Sequence, residues 1–368
     1  MQLCQICNGA NGSTFEAGQC YICEEKAMKT DEMITTAIRF LKDENATNFS
    51  ISTIIPKDWQ NREEMVWDRK LSKAESIKNI LNRKIVSAIN ATGLIYDIDG
   101  DFRVVFNYYE GKIELQKNNM FIFGRYKKIS AGLSQSRWRC PKCGGEGTNC
   151  NNCSGKGKCY ESVEERIGEP IKEAAQAKDY VMHASGREDV DATNTAGRAF
   201  VFEIKEPSER KLNLVELTKI IGKSNEVEVC DLQVVRRKFI EMVTESHFDK
   251  TYDAEIEFGR EITENDERKI LELAGETLLQ QTPTRVAHRR ANLVRHRKVK
   301  TIEVKNRDKN KATIIVKAEA GTYIKELISG DNGRTNPSIS KLLGTSAVCK
   351  KLEVTKIEDG FLDFCLAK

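Results

Sequence analysis

The stretch Ala184-Ser185-Gly186-Arg187-Glu188-Asp189-Val190-Asp191 places one glycine ahead of a tight cluster of an arginine and three carboxylates. Before it, Tyr180-Val181-Met182 reads as a short apolar strand. After it, Ala199-Phe200-Val201-Phe202-Glu203-Ile204 reads as another, with apolar residues at 200, 202 and 204. The charged cluster therefore occupies a loop between two strands, the place where a rigid scaffold usually carries its chemistry. Taken alone, it could equally be a solvated acidic turn. The rest of the chain decides between the two.

At 368 residues the chain is too long for one ordinary core, so two or three domains are expected. A composition of 39% hydrophobic and 31% charged residues is that of a soluble globular protein. The net charge of +4, from 59 basic and 55 acidic residues, is only mildly basic, so a nucleic-acid surface has to be local. No apolar run approaches the roughly 18 residues of a membrane span, and Met1-Gln2-Leu3-Cys4 does not begin a signal peptide. A cytoplasmic location is expected.

Twelve cysteines could suggest disulfides, but their spacing points to metal. Cys4, Cys7, Cys20 and Cys23 form C-x2-C-x12-C-x2-C, and Cys140, Cys143, Cys150 and Cys153 form C-x2-C-x6-C-x2-C. Thiolates two residues apart can meet one tetrahedral Zn2+, and two such knuckles close a structural site with no position left for water. An iron–sulfur cluster is the competing use of four cysteines. Cys159 reads as a spare thiol, and Cys230, Cys349 and Cys365 as small apolar residues.

Along the chain, residues 1–28 form a zinc module too short to hold a core without its metal. Met33, Ile34, Ile38 and Leu41 share a helix face that Thr30 or Asp31 can cap. A strand over Phe49–Ile55 is stopped by Pro56. The stretch Leu71–Thr92 places Ile77, Leu81, Ile85 and Ile89 at i+4 steps and ends at Gly93, which predicts a helix. Alternation predicts strands over 102–108 and 113–115, completing an α/β domain over 29–135. Residues 124–160 read as a stiffened linker that holds the second zinc module, 136–160. From 161 periodicity returns: a helix with Val163, Ile167 and Ile171 on one face, the strand–loop–strand around Asp189, and an alternating strand over Thr251–Phe258. A helix capped by Thr263 is expected to run to about Leu279, and Thr313-Ile314-Ile315-Val316 to lead as a strand into Gly321.

Three further features bear on function. The run from Arg285 to Lys300 holds seven Lys or Arg and no acid, a block that attracts phosphate. Ala320-Gly321-Thr322-Tyr323-Ile324-Lys325-Glu326-Leu327-Ile328 reads as a strand end breaking at glycine into a helix start. Tyr252 is an aromatic on the apolar face of its strand.

Together, GREDVD, QTPTRVAHRRANLVRHRKV and AGTYIKELISGDNGRTNPSI resemble, in order and spacing, the Pus-ten family of RNA pseudouridine synthases, and the resemblance covers 161–368 almost continuously. The N-terminal half resembles archaeal members: a zinc knuckle pair, a THUMP-like RNA-binding α/β domain, then WRCPKCGGEG ending in GKGK. The resemblance implies a multidomain α+β chain whose C-terminal mixed-sheet pseudouridine synthase domain spans 161–368. It also implies conversion of uridine 54, uridine 55 or both in the TΨC arm of tRNA to pseudouridine, without an organic cofactor, by a chain acting as a monomer. Carried over by residue, Asp189 is the nucleophile, Lys325 the basic partner of that aspartate, Tyr252 the residue stacked on the target base and Leu352 the pocket leucine. Arg187, Arg285, His288, Arg289, Arg290, Arg295, Arg297, Tyr323 and Arg334 are the substrate-binding candidates.

Physical logic agrees. A base inside folded RNA has to be extruded before an enzyme can work on it, and an aromatic platform with a cationic channel offsets the lost stacking. A carboxylate nucleophile has to be ionised and aimed, which a neighbouring cation favours. Alternation puts Asp189 and Asp191 on one side of the loop and Glu188 on the other, and Asp191 is expected to brace the loop through backbone N–H groups. The competing reading is a non-catalytic zinc-containing RNA-binding or chaperone protein, since CPKCGGEG and CNNCSGKG resemble two repeats of a J-protein zinc domain; the four such repeats and the HPD tripeptide of those proteins are absent. A THUMP-bearing methyltransferase or thiouridine synthase would need a nucleotide-binding loop, and the chain has neither G-x-G-x-x-G nor a P-loop.

Overall fold

The computed structural model describes residues 2–11, 19–68, 75–287 and 290–366. The chain divides into two units, Met1–Met120 with Lys205–Ser208, and Phe121–Ile204 with Glu209–Lys368.

The first unit contains α1 (Gln5–Asn11), α2 (Thr30–Asp43), β1 (Asn48–Ile54), α3 (Lys57–Trp67), α4 (Ile77–Asn90), β2 (Ile95–Tyr96), β3 (Phe102–Asn107) and β4 (Lys112–Lys117). Its four-stranded sheet has the order β2-β1-β3-β4, parallel on both sides of β1 and antiparallel between β3 and β4. In α4 the i+4 residues Ile77, Leu81, Ile85 and Ile89 are all buried, and Ser76 caps the helix by accepting from Asn79 N. The first turn expected there, 71–74, lies outside the described residues. Neither Thr30 nor Asp31 caps α2, because a 3-10 turn over Lys26–Lys29 feeds straight into the helix and makes Lys29 its N-cap. Pro56 ends β1 as expected and also stands as the N-cap of α3, which buries Trp59 against Tyr108 with ring centroids 5.6 Å apart. Cys4, Cys7, Cys20 and Cys23 belong to the same buried cluster as Phe49, Trp59 and Ile85.

In the second unit β5 (Met120–Lys128), α5 (Val163–Ala174), β6 (Asp179–Ala184), β7 (Thr193–Lys205), α6 (Leu214–Gly222), β8 (Val227–Val235) and α7 (Phe239–Thr244) come first. Then follow β9 (Lys250–Phe258), α8 (Glu264–Leu271), β10 (Thr277–Gln281), β11 (Val294–Asp308), β12 (Lys311–Ala318), α9 (Ile324–Ser329), β13 (Thr335–Asn336), α10 (Ile339–Leu343), β14 (Ala347–Ile357) and α11 (Gly360–Leu366). One mixed ten-stranded sheet runs β13-β10-β11-β12-β9-β14-β7-β5-β8, with β6 paired to β7.

Two readings are corrected here. Gly124–Lys128, read as the start of a linker, lies in β5 inside this sheet, where Tyr126 and Lys128 are fully buried. The polar run Arg125-Tyr126-Lys127-Lys128 concealed a strand whose inward residues are polar. The helix capped by Thr263 has the expected cap, a capping box with Asp266, but ends at Leu271; Gly275 then turns the chain at φ +84°, and Thr277–Gln281 is a strand.

Residues 129–162 leave the sheet after β5 and return to α5. The excursion is closed by an antiparallel bridge Arg139–Lys158 and a parallel bridge Ser134–Ser162, and it carries the second cysteine set. α5 then packs Val163, Ile167, Gly168 and Ile171 inward. A Cβ built on Gly168 would lie 2.2 Å from the ring of the fully buried Tyr180. Gly168→Ala is therefore expected to destabilise the protein by about 1–3 kcal/mol despite the better helix propensity of alanine, read as a lower denaturant midpoint at unchanged m-value.

Candidate active site and metal centres

The loop between β6 and β7 is fixed from below. Gly186 adopts φ +82°, open to glycine at little cost, and a Cβ there would come within 3.1 Å of Arg198 Nη1. Glu188 turns inward and is buried, where it pairs at 2.7 Å with the fully buried Arg198 of β7 and accepts a 2.6 Å hydrogen bond from Tyr126 Oη. Burial alone would lower the Arg198 guanidinium, but Glu188 raises it above its ordinary value. Burial, with Glu188 beside it, pushes the Tyr126 phenol well up. Arg198 Nη1 also donates to Ser185 O at 2.6 Å, and Gln135 Nε2 donates to Gly186 O at 2.8 Å and to Tyr126 Oη at 2.9 Å. The buried Lys128 ammonium, its affinity for protons lowered by burial, donates to the carbonyls of Asp189 and Val190 at 2.9 and 2.8 Å.

Glu188 turns toward Arg198, whereas Asp189 and Asp191 both face Lys325. Asp189 accepts a 2.6 Å hydrogen bond from Arg285 Nη1, and its side chain is 25% exposed. Arg285 is anchored in turn by the buried Glu326 at 2.7 Å; burial pulls its guanidinium down, and Glu326 and Asp189 together raise it above its ordinary value. Lys325, in the first turn of α9, was expected to pair with Asp189. Its ammonium lies 3.7 Å from Asp189 and makes its short contacts, 2.6 and 2.7 Å, with both oxygens of Asp191. Burial would raise the Asp191 carboxyl, but Lys325 holds it below the usual range. Asp191 thus serves as counter-ion to a side chain, and the bracing expected of it comes from Lys128, Gln135 and Arg198, which reach the loop carbonyls from the sheet and from the excursion.

Above the loop lies a cavity of about 250 Å³. Asp189, Tyr252, Lys325 and Leu352, separated by up to 163 positions in sequence, all line it. Tyr252 stands on β9, where burial pushes its phenol up to about 12, and Leu352 stands on the adjacent β14. Arg187, Arg285, Arg290, Arg295 and Tyr323 also line the cavity, with the Arg295 guanidinium 6.0 Å from the Tyr323 ring centroid. Arg297 and Arg334 are not part of the lining; Arg334 donates to Thr282 O at 2.7 Å and pairs with Asp331. His288 and Arg289 lie outside the described residues. Sequence reasoning missed Lys128, Gln135, Arg198, Lys250 and Glu326. Arg198 had one signal, a charged residue directly ahead of the apolar run 199–202.

Each cysteine set closes on itself. The four Sγ atoms of each lie within 4.8 Å of one another, with 3.5 Å between Cys4 and Cys23 and 3.8 Å for both Cys140–Cys150 and Cys143–Cys153. All eight are free of disulfides. Such spacing suits four thiolates about 2.3 Å from one central ion, so both sets could hold a metal.

A half-buried carboxylate faced by cations from separate segments, in one cleft, is the arrangement of an enzyme site. The family model "Pus10, C-terminal" matches residues 121–358. The tRNA pseudouridine synthase Pus10 of Methanocaldococcus jannaschii is 40% identical over 338 residues, 91% of this chain and 74% of that protein. The protein of the same name from Archaeoglobus fulgidus is 35% identical over 362 residues, 97% of this chain and 100% of that one. Among solved structures, a Cbf5–Nop10–Gar1 complex is similar with a TM-score of 0.32 at 19% identity, over 51% of this chain and 43% of that one, and nothing below rests on it. The chain belongs to the Pus10 family, the Pus-ten family of pseudouridine synthases, and is an isomerase.

Removing one member of the buried pair isolates the other. Arg198→Met is expected to cost about 3–5 kcal/mol by leaving the Glu188 carboxylate buried and unpaired, and the double variant Arg198→Met/Glu188→Gln to recover most of that loss. Urea unfolding of the four proteins of the cycle measures both; a loss in the double variant equal to the sum of the two single losses would show that the pair is not coupled.

Proposed function

We propose that this protein is a tRNA pseudouridine synthase that converts uridine 54, uridine 55 or both in the TΨC arm, with Asp189 as the nucleophile acting on a flipped-out uridine. The observation that carries the reading is that one cavity holds Asp189, Tyr252 and Leu352 together, with Arg285 and Lys325 facing the carboxylate. Tyr252 offers a ring face to an extruded base, and Leu352 closes the apolar side. Arg187, Arg290, Arg295 and Tyr323 at the same cavity, together with His288, Arg289, Arg297 and Arg334, receive the flanking phosphates and sugars. The first unit acts as a THUMP-like RNA-binding domain, and each cysteine set holds a structural Zn2+. No organic cofactor enters, because the reaction is an isomerisation: the C1′–N1 bond breaks, C5 bonds to C1′, and the proton lost from C5 is balanced by one gained at N1.

Incubation with an unmodified tRNA transcript and no added cofactor, followed by pseudouridine mapping, tests the reading. Product at 54 or 55 supports it; binding of tRNA with no product anywhere would favour a non-catalytic RNA-binding protein. Asp189→Asn is expected to abolish product while leaving tRNA affinity nearly intact, since a neutral isostere keeps the shape and loses the nucleophile. Asp191→Asn is expected to retain measurable activity. The reverse pattern would move the nucleophile to Asp191 and leave the family membership untouched.

Elemental analysis of purified protein is expected to give two zinc ions per chain. One zinc, or iron with visible absorbance, would overturn the two-site assignment.

A further inference from the structure

Lys250 is a buried cation that the chemistry assigned so far does not use. It opens β9 two positions before Tyr252, so the two side chains leave the same face of the strand, and both line the cavity. The residue is only 6% exposed. Its ammonium makes one hydrogen bond, to Phe248 O at 2.9 Å, and meets no carboxylate within ion-pair distance among the described residues. An ammonium carries three donors. Burying a cation with two of them unmatched is costly, so an unpaired lysine on a cavity wall needs an occupant to explain it. The charged groups that face it are Arg198 from β7, which opposes its charge, and Asp249 and Asp359, which favour it. Burial first, and then Arg198, bring its affinity for protons down to about 8.

We propose that Lys250 is a further catalytic residue that donates to a carbonyl oxygen of the target uracil and stabilises the negative charge of the detached base. When the C1′–N1 bond breaks, the electron pair stays with the base and spreads from N1 onto the ring carbonyl oxygens; a fixed cation on a buried side chain opposes that charge better than water does. No proton transfer by Lys250 is required. Asp189 bonds to C1′ as N1 leaves; the base turns, C5 attacks C1′ and Asp189 departs with its electron pair, the C5 proton leaves, N1 is reprotonated, and the lysine ends as it began. The uncharged uracil ring offers it an acceptor in the ground state and a much stronger one after bond cleavage, which is the differential interaction that catalysis needs.

The inference rests on the proposed reaction, and its failure is distinguishable from failure of that reading: a wild-type protein inactive on tRNA defeats both, whereas the outcomes below concern Lys250 alone. Lys250→Met is near in length and uncharged. It is expected to lower the single-turnover rate of pseudouridine formation about 10²-fold, with tRNA affinity and melting temperature nearly unchanged. The wild-type rate is expected to fall as pH rises through about 8, where the ammonium loses its proton, and the variant to lack that limb. A folded Lys250→Met protein with the wild-type rate overturns the proposal. Should that variant fail to fold, the wild-type profile still decides: a rate flat from pH 7 to 9 overturns it.

Discussion

The position of the central loop depends on one buried ion pair. Glu188 and Arg198 are both withdrawn from water, an arrangement stable only while each satisfies the other and the remaining polar atoms find partners. Tyr126 donates to the carboxylate and Arg198 reaches the carbonyl of Ser185, while Glu188 Oε2 and Arg198 Nε, 2.7 Å apart, have only each other. Because Glu188 is pinned downwards, the next residue has to face the other way, and Asp189 enters the cavity by the geometry of consecutive side chains. A carboxylate that must be aimed is thus positioned by a neighbour whose own carboxylate is committed to Arg198 and Tyr126.

Pinning from one side would leave the loop free to rock, and the second set of contacts removes that freedom. Lys128 grips two consecutive carbonyls from β5, and Gln135 grips a third from the base of the excursion that carries Cys140–Cys153. That base is drawn together by the Ser134–Ser162 and Arg139–Lys158 bridges. The cysteine set at its far end therefore lies on a continuous hydrogen-bonded path to Gly186. A closed four-thiolate centre suits such a place, since it fixes a chain segment too rich in glycine and polar residues to fix itself.

How much of this was legible depended on whether a feature announces itself through local periodicity. The i+4 apolar steps of α4, the alternation of β9 and the strand–loop–strand around Asp189 are local patterns, and the structure has them where the spacing put them. The eight paired cysteines were equally legible, because two-residue spacing is itself the geometry. β5 was hidden because its inward residues, Tyr126 and Lys128, are polar; a buried lysine that binds loop carbonyls looks in sequence like a surface lysine. α8 stopped short of its expected end because Gly275 allowed a turn that hands Thr277–Gln281 to the sheet, a choice made by the β11 edge and not by the segment. The partial exchange of partners at Asp189, where Arg285 joins Lys325 and stands closer, was beyond any linear reading, since Arg285 lies 96 positions away and is aimed by a buried glutamate that follows Lys325 itself.

That exchange bears on the three carboxylates. Glu188 lies in the cavity wall, but its carboxylate is buried and already committed to Arg198 and Tyr126. Asp191 is 72% exposed at its side chain, grips Lys325 through both oxygens, and is held below the usual carboxylate range. A carboxylate with both oxygens committed to an ammonium is a poorer nucleophile than one with an oxygen left open, and its exposure leaves it in water. Asp189 is only partly exposed, its hydrogen bond to Arg285 occupies one oxygen, and Lys325 stays 3.7 Å from the other. The second oxygen is thus the one carboxylate atom among the three residues that is shielded, near a cation and not tied to it. Asp191 in this arrangement holds Lys325 at the longer distance from Asp189, so the ammonium pairs with the proposed nucleophile without engaging its free oxygen closely.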